Sequence, residues 1–400
     1  MTYPGAILFT APHRLAFLAG SLGLAAMSLW WPARLGALYL GWPGPDDASL
    51  PAQLLHAPVL LLQVYPAFIF GFLLTVFPRW MGLADLTPRQ HGPAATGLAL
   101  GLSLTCAGLW AGADDVVRAG FAVFAVAWLL GLAVLAGVVR ANRRAARPAC
   151  LHALSALAAL ALGLASLALV LAFFISGDPR QLRWGNVLGL HGFLIPVFLT
   201  VAHRMIPFFA GNVVEHYRRW RPDWLLGALW ALLALRIVGE LAVQPVIAGS
   251  AAAGLAACTA VMAWQWWPRG PVPGLLRVLF WGFAWAPLGF ALGALAAFGL
   301  PLGLAPTHAL ALGFAASLLV AMVTRVTLGH SGRPLAMVPI AWLAFAGVQL
   351  AAVLRIVAAL EGDPAMLLVT AALLLVGGWL PWLTRNTLIY LRPRLDGKPG

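Results

Sequence analysis

The sequence predicts an all-α, polytopic transmembrane bundle of about twelve spans, and three observations carry that prediction. The 400-residue chain is 62% hydrophobic and only 9% charged. Its mean hydropathy is +0.91. Its apolar residues fall in continuous Leu- and Ala-rich runs long enough to cross a bilayer. A soluble domain is nearer one-half apolar, and a bilayer core takes roughly 20 apolar residues per helix. A membrane β-barrel is excluded, because its strands would alternate apolar and polar residues over about ten positions.

Cutting the chain at clusters of Arg, Asp, Gly and Pro places spans at 14–31, 57–78, 94–112, 116–140, 150–175, 185–209, 224–243, 246–267, 275–300, 306–328, 336–358 and 365–391. The acidic pair Asp46/Asp47 separates the first two, and Arg79 and Arg89 the second and third. Asp114/Asp115 precedes the fourth span, and Arg140, Arg143, Arg144 and Arg147 follow it. Asp178 follows the fifth, and Arg218, Arg219 and Arg221 the sixth. Arg269 and Arg277 bracket the turn into the ninth, and Arg333 follows the tenth. Glu361 and Asp363 follow the eleventh, and Arg392, Arg394 and Lys398 form the tail. Basic and acidic turns thus alternate. Because cytoplasmic loops retain Lys and Arg, an even span count with both termini cytoplasmic is expected. The formal charge of +13 is then spread along one membrane face, with anionic lipid as its neighbour. No basic soluble domain is present to engage nucleic acid, and residues 1–400 read as one integral membrane domain.

The N-terminus lacks a charged region followed by a cleavable apolar one, so no removable signal peptide is expected. Cys106, Cys150 and Cys258 are isolated, without CxxC or CxxCH spacing, which argues against covalent heme, iron–sulfur clusters and a disulfide framework. No GxxxxGK[ST], GxSxG or HExxH occurs, which argues against nucleotide hydrolysis, serine hydrolase chemistry and zinc proteolysis of those types.

Ionisable groups in hydrocarbon are costly and are usually kept for function, so the nine histidines are the informative residues. His56, His191 and His308 open the second, sixth and tenth spans and form an expected outer layer. His13, His203, His216 and His330 lie toward the inner face. At about 1.5 Å per residue, His203 stands roughly 18 Å below His191, and His330 about 33 Å below His308. One metal therefore cannot take ligands from both layers. The four-span spacing of the outer three suggests three four-helix modules, each turning its second helix inward. Imidazole is a common ligand of copper and heme iron, so His56, His191 and His308 are the metal-ligand candidates. The bland alternative is that each bonds a carbonyl or a lipid headgroup.

The inner layer pairs histidine with arginine: Pro12-His13-Arg14, His203-Arg204, and the stretch from Thr324-Arg325 through Gly329-His330-Ser331-Gly332-Arg333-Pro334. Guanidinium groups hold carboxylates and phosphates bidentately. His13, His203 and His330 with Arg204, Arg325 and Arg333 are thus candidates for a cofactor or an anionic ligand. The plain alternative is that the arginines are surface anchors.

Several blocks carry a resemblance. Thr307-His308-Ala309-Leu310-Ala311-Leu312-Gly313, Met322-Val323-Thr324-Arg325 and Leu328-Gly329-His330-Ser331-Gly332-Arg333-Pro334-Leu335 resemble the signature of the NnrS family. Gly71-Phe72-Leu73-Leu74-Thr75 with Pro78 and Trp80, and Arg204-Met205-Ile206-Pro207-Phe208-Phe209, are similar to two further blocks of it. The resemblance implies a polytopic membrane protein that contains heme and copper and is linked to nitric oxide and nitrosative stress. Members carry His-x-His-Glu-Met at the start of the second span, where this chain reads His56-Ala57-Pro58-Val59-Leu60. More distantly, the layout resembles the twelve-helix subunit of heme-copper oxidases and nitric oxide reductases. The adjacent His-His pair of their seventh span is absent, so no complete oxidase or reductase centre is legible and turnover stays open.

Two readings follow. In the first, the protein sits in the bacterial inner membrane, binds heme b and copper, and meets nitric oxide or iron-nitrosyl species, with an electron donor that the sequence does not name. In the second, it transports an anionic or metal-containing small molecule along the His/Arg clusters. Ionisable groups concentrated near span ends, with an apolar midplane, favour the first.

Overall fold

The computed structural model describes residues 7–44 and 50–397; Asp46, Asp47 and Lys398 lie outside the described residues. Twelve helices are long and apolar enough to cross a membrane: α1 (Pro12–Leu40), α2 (Ala52–Trp80), α3 (Pro88–Ala111), α4 (Asp114–Arg144), α5 (Leu151–Ser176), α6 (Pro179–Ala210), α7 (Asp223–Leu241), α8 (Pro245–Trp266), α9 (Gly274–Ala297), α10 (Ala305–His330), α11 (Pro339–Ala358) and α12 (Ala365–Tyr390). No strand occurs among the described residues. The protein is a multi-pass, all-helical membrane protein, the architecture that satisfies every backbone N–H and C=O within the spanning segment.

The helix count matches the sequence reading, while several boundaries differ, among them the starts of α2, α3 and α6 and the ends of α1 and α4; two of these have local reasons. α1 continues through Pro32 to Leu40 and stops at Gly41, whose φ of 66° is the left-handed C-cap. The start of α6 moves back from 185 to Pro179, because the Asp178 carboxylate accepts from the Arg180 N–H at 2.9 Å and proline suits the first helical position. His191 therefore sits well inside α6 rather than at its opening.

Spans α2, α6 and α10 stand apart from the others. Their apolar windows are 83%, 83% and 78% buried, against 33–61% for the other nine, so these three are the interior helices. Each also contains a π-helical stretch: Leu60–Val64, Leu188–Leu194 and Ala309–Ala316. Such wide turns are rare and concentrate at functional sites. His191 lies within one of them and His308 immediately precedes another. Each interior helix is followed by a tight hairpin of small residues. In α3/α4 a Cβ on Gly101 would lie 2.7 Å from the Phe124 backbone nitrogen, and in α11/α12 one on Gly347 would lie 3.0 Å from the Leu374 carbonyl. Close backbone approach of this kind drives helix pairing where lipid removes the hydrophobic incentive.

The chain divides into two compact units. The first comprises the chain up to Gly189 with Val326–Pro334 and the segment from Leu383; the second comprises Leu190–Arg325 and Leu335–Trp382. In the first, Phe17 packs edge-on against Phe68 at 5.5 Å and Phe70 against Trp128 at 5.4 Å. The Trp128 indole donates to the Leu160 carbonyl at 3.0 Å. In the second, Phe283 meets Trp266 at a tilt of 53° and Phe314 edge-on. There the Trp382 indole donates to the Thr324 hydroxyl at 2.9 Å and the Trp285 indole to the Gln349 amide oxygen at 2.7 Å. Both cores thus fill their interiors with aromatic bulk while pairing the polar tip.

Candidate functional site

The first unit gathers its polar side chains where α1 begins and α10 and α12 end. Pro12 opens α1 and places His13 and Arg14 in its first turn. His330 closes α10, and the chain reverses there because the Arg333 N–H reaches back to the Leu328 carbonyl at 3.0 Å while Gly332 takes a φ of 69°. A side chain at Gly332 would also meet the Asp396 carboxyl carbon at 2.9 Å. The tail is pinned on this turn by the Leu395 N–H, which donates to the Ser331 carbonyl at 3.0 Å. The same turn, with Gly82 at φ 64° and the Leu83 N–H bonded to the Pro78 carbonyl, ends α2.

These turns bring His13 and His330 face to face, with ring centroids 4.7 Å apart and planes at 54°. His13 is 3% exposed, and its Nδ1 is buried with no hydrogen-bond partner. Phe17 packs edge-on against both His13 and Tyr390. The Tyr390 hydroxyl bonds the Thr327 hydroxyl at 2.8 Å. Arg14 donates through Nη1 to the carbonyls of Tyr390 at 3.0 Å and Arg392 at 2.8 Å, capping carbonyls that the end of α12 leaves unpaired. Arg79 holds Asp85 through two hydrogen bonds of 3.0 and 2.9 Å, which keeps the Asp85 carboxyl below its ordinary range. Arg394 grips Asp396 in the same way at 2.8 and 2.6 Å.

Two imidazoles on one metal through N–metal bonds of about 2.0–2.1 Å put their ring centres about 5 Å apart when the bonds stand near the tetrahedral angle, so the observed separation fits a shared metal. A buried imidazole nitrogen without a donor or acceptor is the kind of orphan that calls for a ligand.

The other expected residues distribute differently. His203 is buried, donates to the Pro222 carbonyl, and lies 6.3 Å from the Trp266 ring. Arg204 follows it half-buried. Arg325 lies over the Phe209 ring, 3.7 Å from its centroid, a cation–π contact. His216 is exposed beside Glu215. His56 stacks on Trp31 at 4.0 Å with planes only 18° apart.

His191 is buried in α6 with an unpartnered Nδ1. His308 is satisfied at both nitrogens. The Arg355 guanidinium donates to Nε2 at 3.0 Å, so Nδ1 carries the proton and donates to the Leu304 carbonyl at 2.9 Å. A metal at Nε2 of His308 would have to displace Arg355. Among the described residues, no three His, Cys, Asp or Glu side chains stand together as a metal site.

Sequence reasoning passed over four polar groups. Gln63, in the π-turn of α2, is fully buried with neither amide atom partnered, and Asn386 of α12 is the same. Both ring nitrogens of His91 in α3 are likewise buried and unpartnered. In the second unit, Arg236 of α7 pairs with Glu240 one turn on and donates to the Ala248 carbonyl at 3.1 Å. Of these, Gln63 lies near the middle of its span, whereas His91, Arg236 and Asn386 stand within two turns of a span end. A lone amide inside Leu-Leu-Leu-Gln63-Val and a lone arginine inside Ala-Leu-Arg236-Ile-Val were the signals available in the sequence.

Compared with known proteins, the chain matches the family model described as NnrS protein over residues 7–394. No curated protein matches it.

Proposed function

The chain belongs to the NnrS protein family, and from that premise we propose that it is a heme-binding protein of the bacterial cytoplasmic membrane, able also to bind copper, that acts in the response to nitric oxide and nitrosative stress. In this reading both termini face the cytoplasm. The observation that carries the metal part of the reading is the His13–His330 pair, two imidazoles 4.7 Å apart with a buried, unpartnered nitrogen on one of them; that spacing suits a single copper ion and leaves no room for a porphyrin between the rings, so the heme rests on the family membership alone. His13 and His330 are the residues that would hold the metal. A copper ion held there would keep an open coordination position for nitric oxide.

The chain's own part is to fix the imidazoles and exclude water. The first turn of α1 and the Gly332 turn set the two rings, and Phe17 closes one side. His191 is a further single ligand candidate in the second unit, since its Nδ1 is also unpartnered.

A reduced-minus-oxidised absorption spectrum with a pyridine hemochrome, on protein purified from a heme-sufficient host, tests the reading. A b-type signal that shifts on adding nitric oxide is expected. A colourless, copper-free protein would sink it and bring the transport reading forward.

A further inference from the structure

The arginines beside the histidine pair present a separate problem of charge. Arg333 and Arg385 each keep Nη1 buried without a hydrogen-bond partner, and Arg14 keeps Nε so. Both nearby carboxylates are engaged elsewhere, Asp85 by Arg79 and Asp396 by Arg394. Arg14 adjoins His13, whose ring meets that of His330 three residues before Arg333; Arg385 stands five residues before Tyr390, whose carbonyl accepts from Arg14 and whose hydroxyl bonds Thr327 of α10. Three guanidiniums thus share one end of the first unit, recessed and uncompensated.

Burying a charged donor without a partner is expensive, and repulsion among like charges grows as the dielectric falls. Water would satisfy the N–H groups and leave the charge in place. An oxyanion satisfies both, and the planar guanidinium fork matches it bidentately. The three arginines come from separate places, the first turn of α1, the turn after α10 and the last turns of α12, so their convergence is a product of the fold. Arg14 is held in position by the Tyr390 and Arg392 carbonyls, which leaves a pre-oriented donor rather than a free surface arm.

We propose that Arg14, Arg333 and Arg385 form a binding site for a phosphate oxyanion, carried by a lipid headgroup or present as free phosphate. The site lies beside the imidazole pair and does not depend on what the imidazoles hold, so it goes beyond the cofactor reading.

The test uses the purified full-length protein, with inorganic phosphate in calorimetric titration and, separately, retention of phosphatidylglycerol against phosphatidylcholine by native mass spectrometry. The variants are Arg333→Gln and Arg385→Gln, with Arg269→Gln, an exposed residue after α8, as control. Saturable phosphate binding identifies the free ion as the source. Selective phosphatidylglycerol retention without phosphate binding identifies the headgroup. In either case each Gln variant should weaken binding about tenfold or more, the loss of one charged hydrogen bond, while the control does not. Arg333→Lys, which keeps the charge and loses the fork, should fall between, and serves if a Gln variant fails to fold. Binding of neither probe, or binding that both Gln variants retain, overturns the proposal. Neither readout uses the heme spectrum, so failure here and failure of the cofactor reading are separable.

Discussion

His13, buried, and His308, half-buried, both lie beside arginines near a helix start, and the structure leaves them in opposite states. His308 has Arg355 on Nε2 and the Leu304 carbonyl on Nδ1; its hydrogen-bonding capacity is used up by the protein. His13 has His330 across from it and an Nδ1 with no partner. Histidine beside arginine is therefore not in itself a site. The distinction lies in what the arginine does: Arg355 donates to the imidazole, whereas Arg14 donates to backbone carbonyls of α12 and leaves its neighbouring imidazole unpaired.

The largest test of this contrast is spectroscopic. His13→Ala or His330→Ala should abolish the copper signal of the purified protein, and His308→Ala should leave it intact. The reverse pattern would restore His308 to the ligand set and break the comparison. Next, Gly332→Ala should destabilise the protein by about 1–2 kcal/mol, the cost of a left-handed non-glycine residue, and should loosen the His330 turn and lower metal occupancy. Gly82→Ala should cost less, because the atom it meets is the end of a flexible Arg147 side chain at 3.0 Å rather than the Asp396 carboxyl and backbone. Thermal melts of the two variants in detergent, with metal content, decide the order.

Arg355→Gln should lower stability by about 1 kcal/mol for a weakened charged hydrogen bond with no change in the spectrum. A spectral change would show that His308 reports on the cofactor. The smallest effect concerns pH. Asp85 has a depressed carboxyl in the folded state because Arg79 hydrogen-bonds it, so its contribution is present above the ordinary carboxylate range near pH 4 and fades as pH falls through the lower folded value. The pair is well exposed, so Asp85→Asn should cost at most about 1 kcal/mol at pH 7. The variant should also flatten the acid limb of a stability-against-pH curve.

Particular residues show how much was legible beforehand. The twelve spans could be read because each needs about 20 apolar residues, a constraint written into the one-dimensional pattern. The special place of α2, α6 and α10 could be read from His56, His191 and His308 at four-span intervals, and their burial and π-turns agree with it. The state of each histidine could not be read. Whether His308 meets Arg355, forty-seven residues away, or His13 meets His330 depends on contacts between helices remote in sequence. That Arg325 lies on Phe209 was likewise not legible, because helical rotation, not proximity in sequence, sets where a side chain points.

Hydropathy and short local blocks are properties of contiguous residues, so a twelve-helix membrane protein of one recognisable family is readable from the chain alone. Which imidazole nitrogens stay unpartnered, and which guanidinium nitrogens do, follows from folding. Hydrogen bonding and charge compensation act over a few ångströms in space, and the first and last helices of this chain come within that range only after folding.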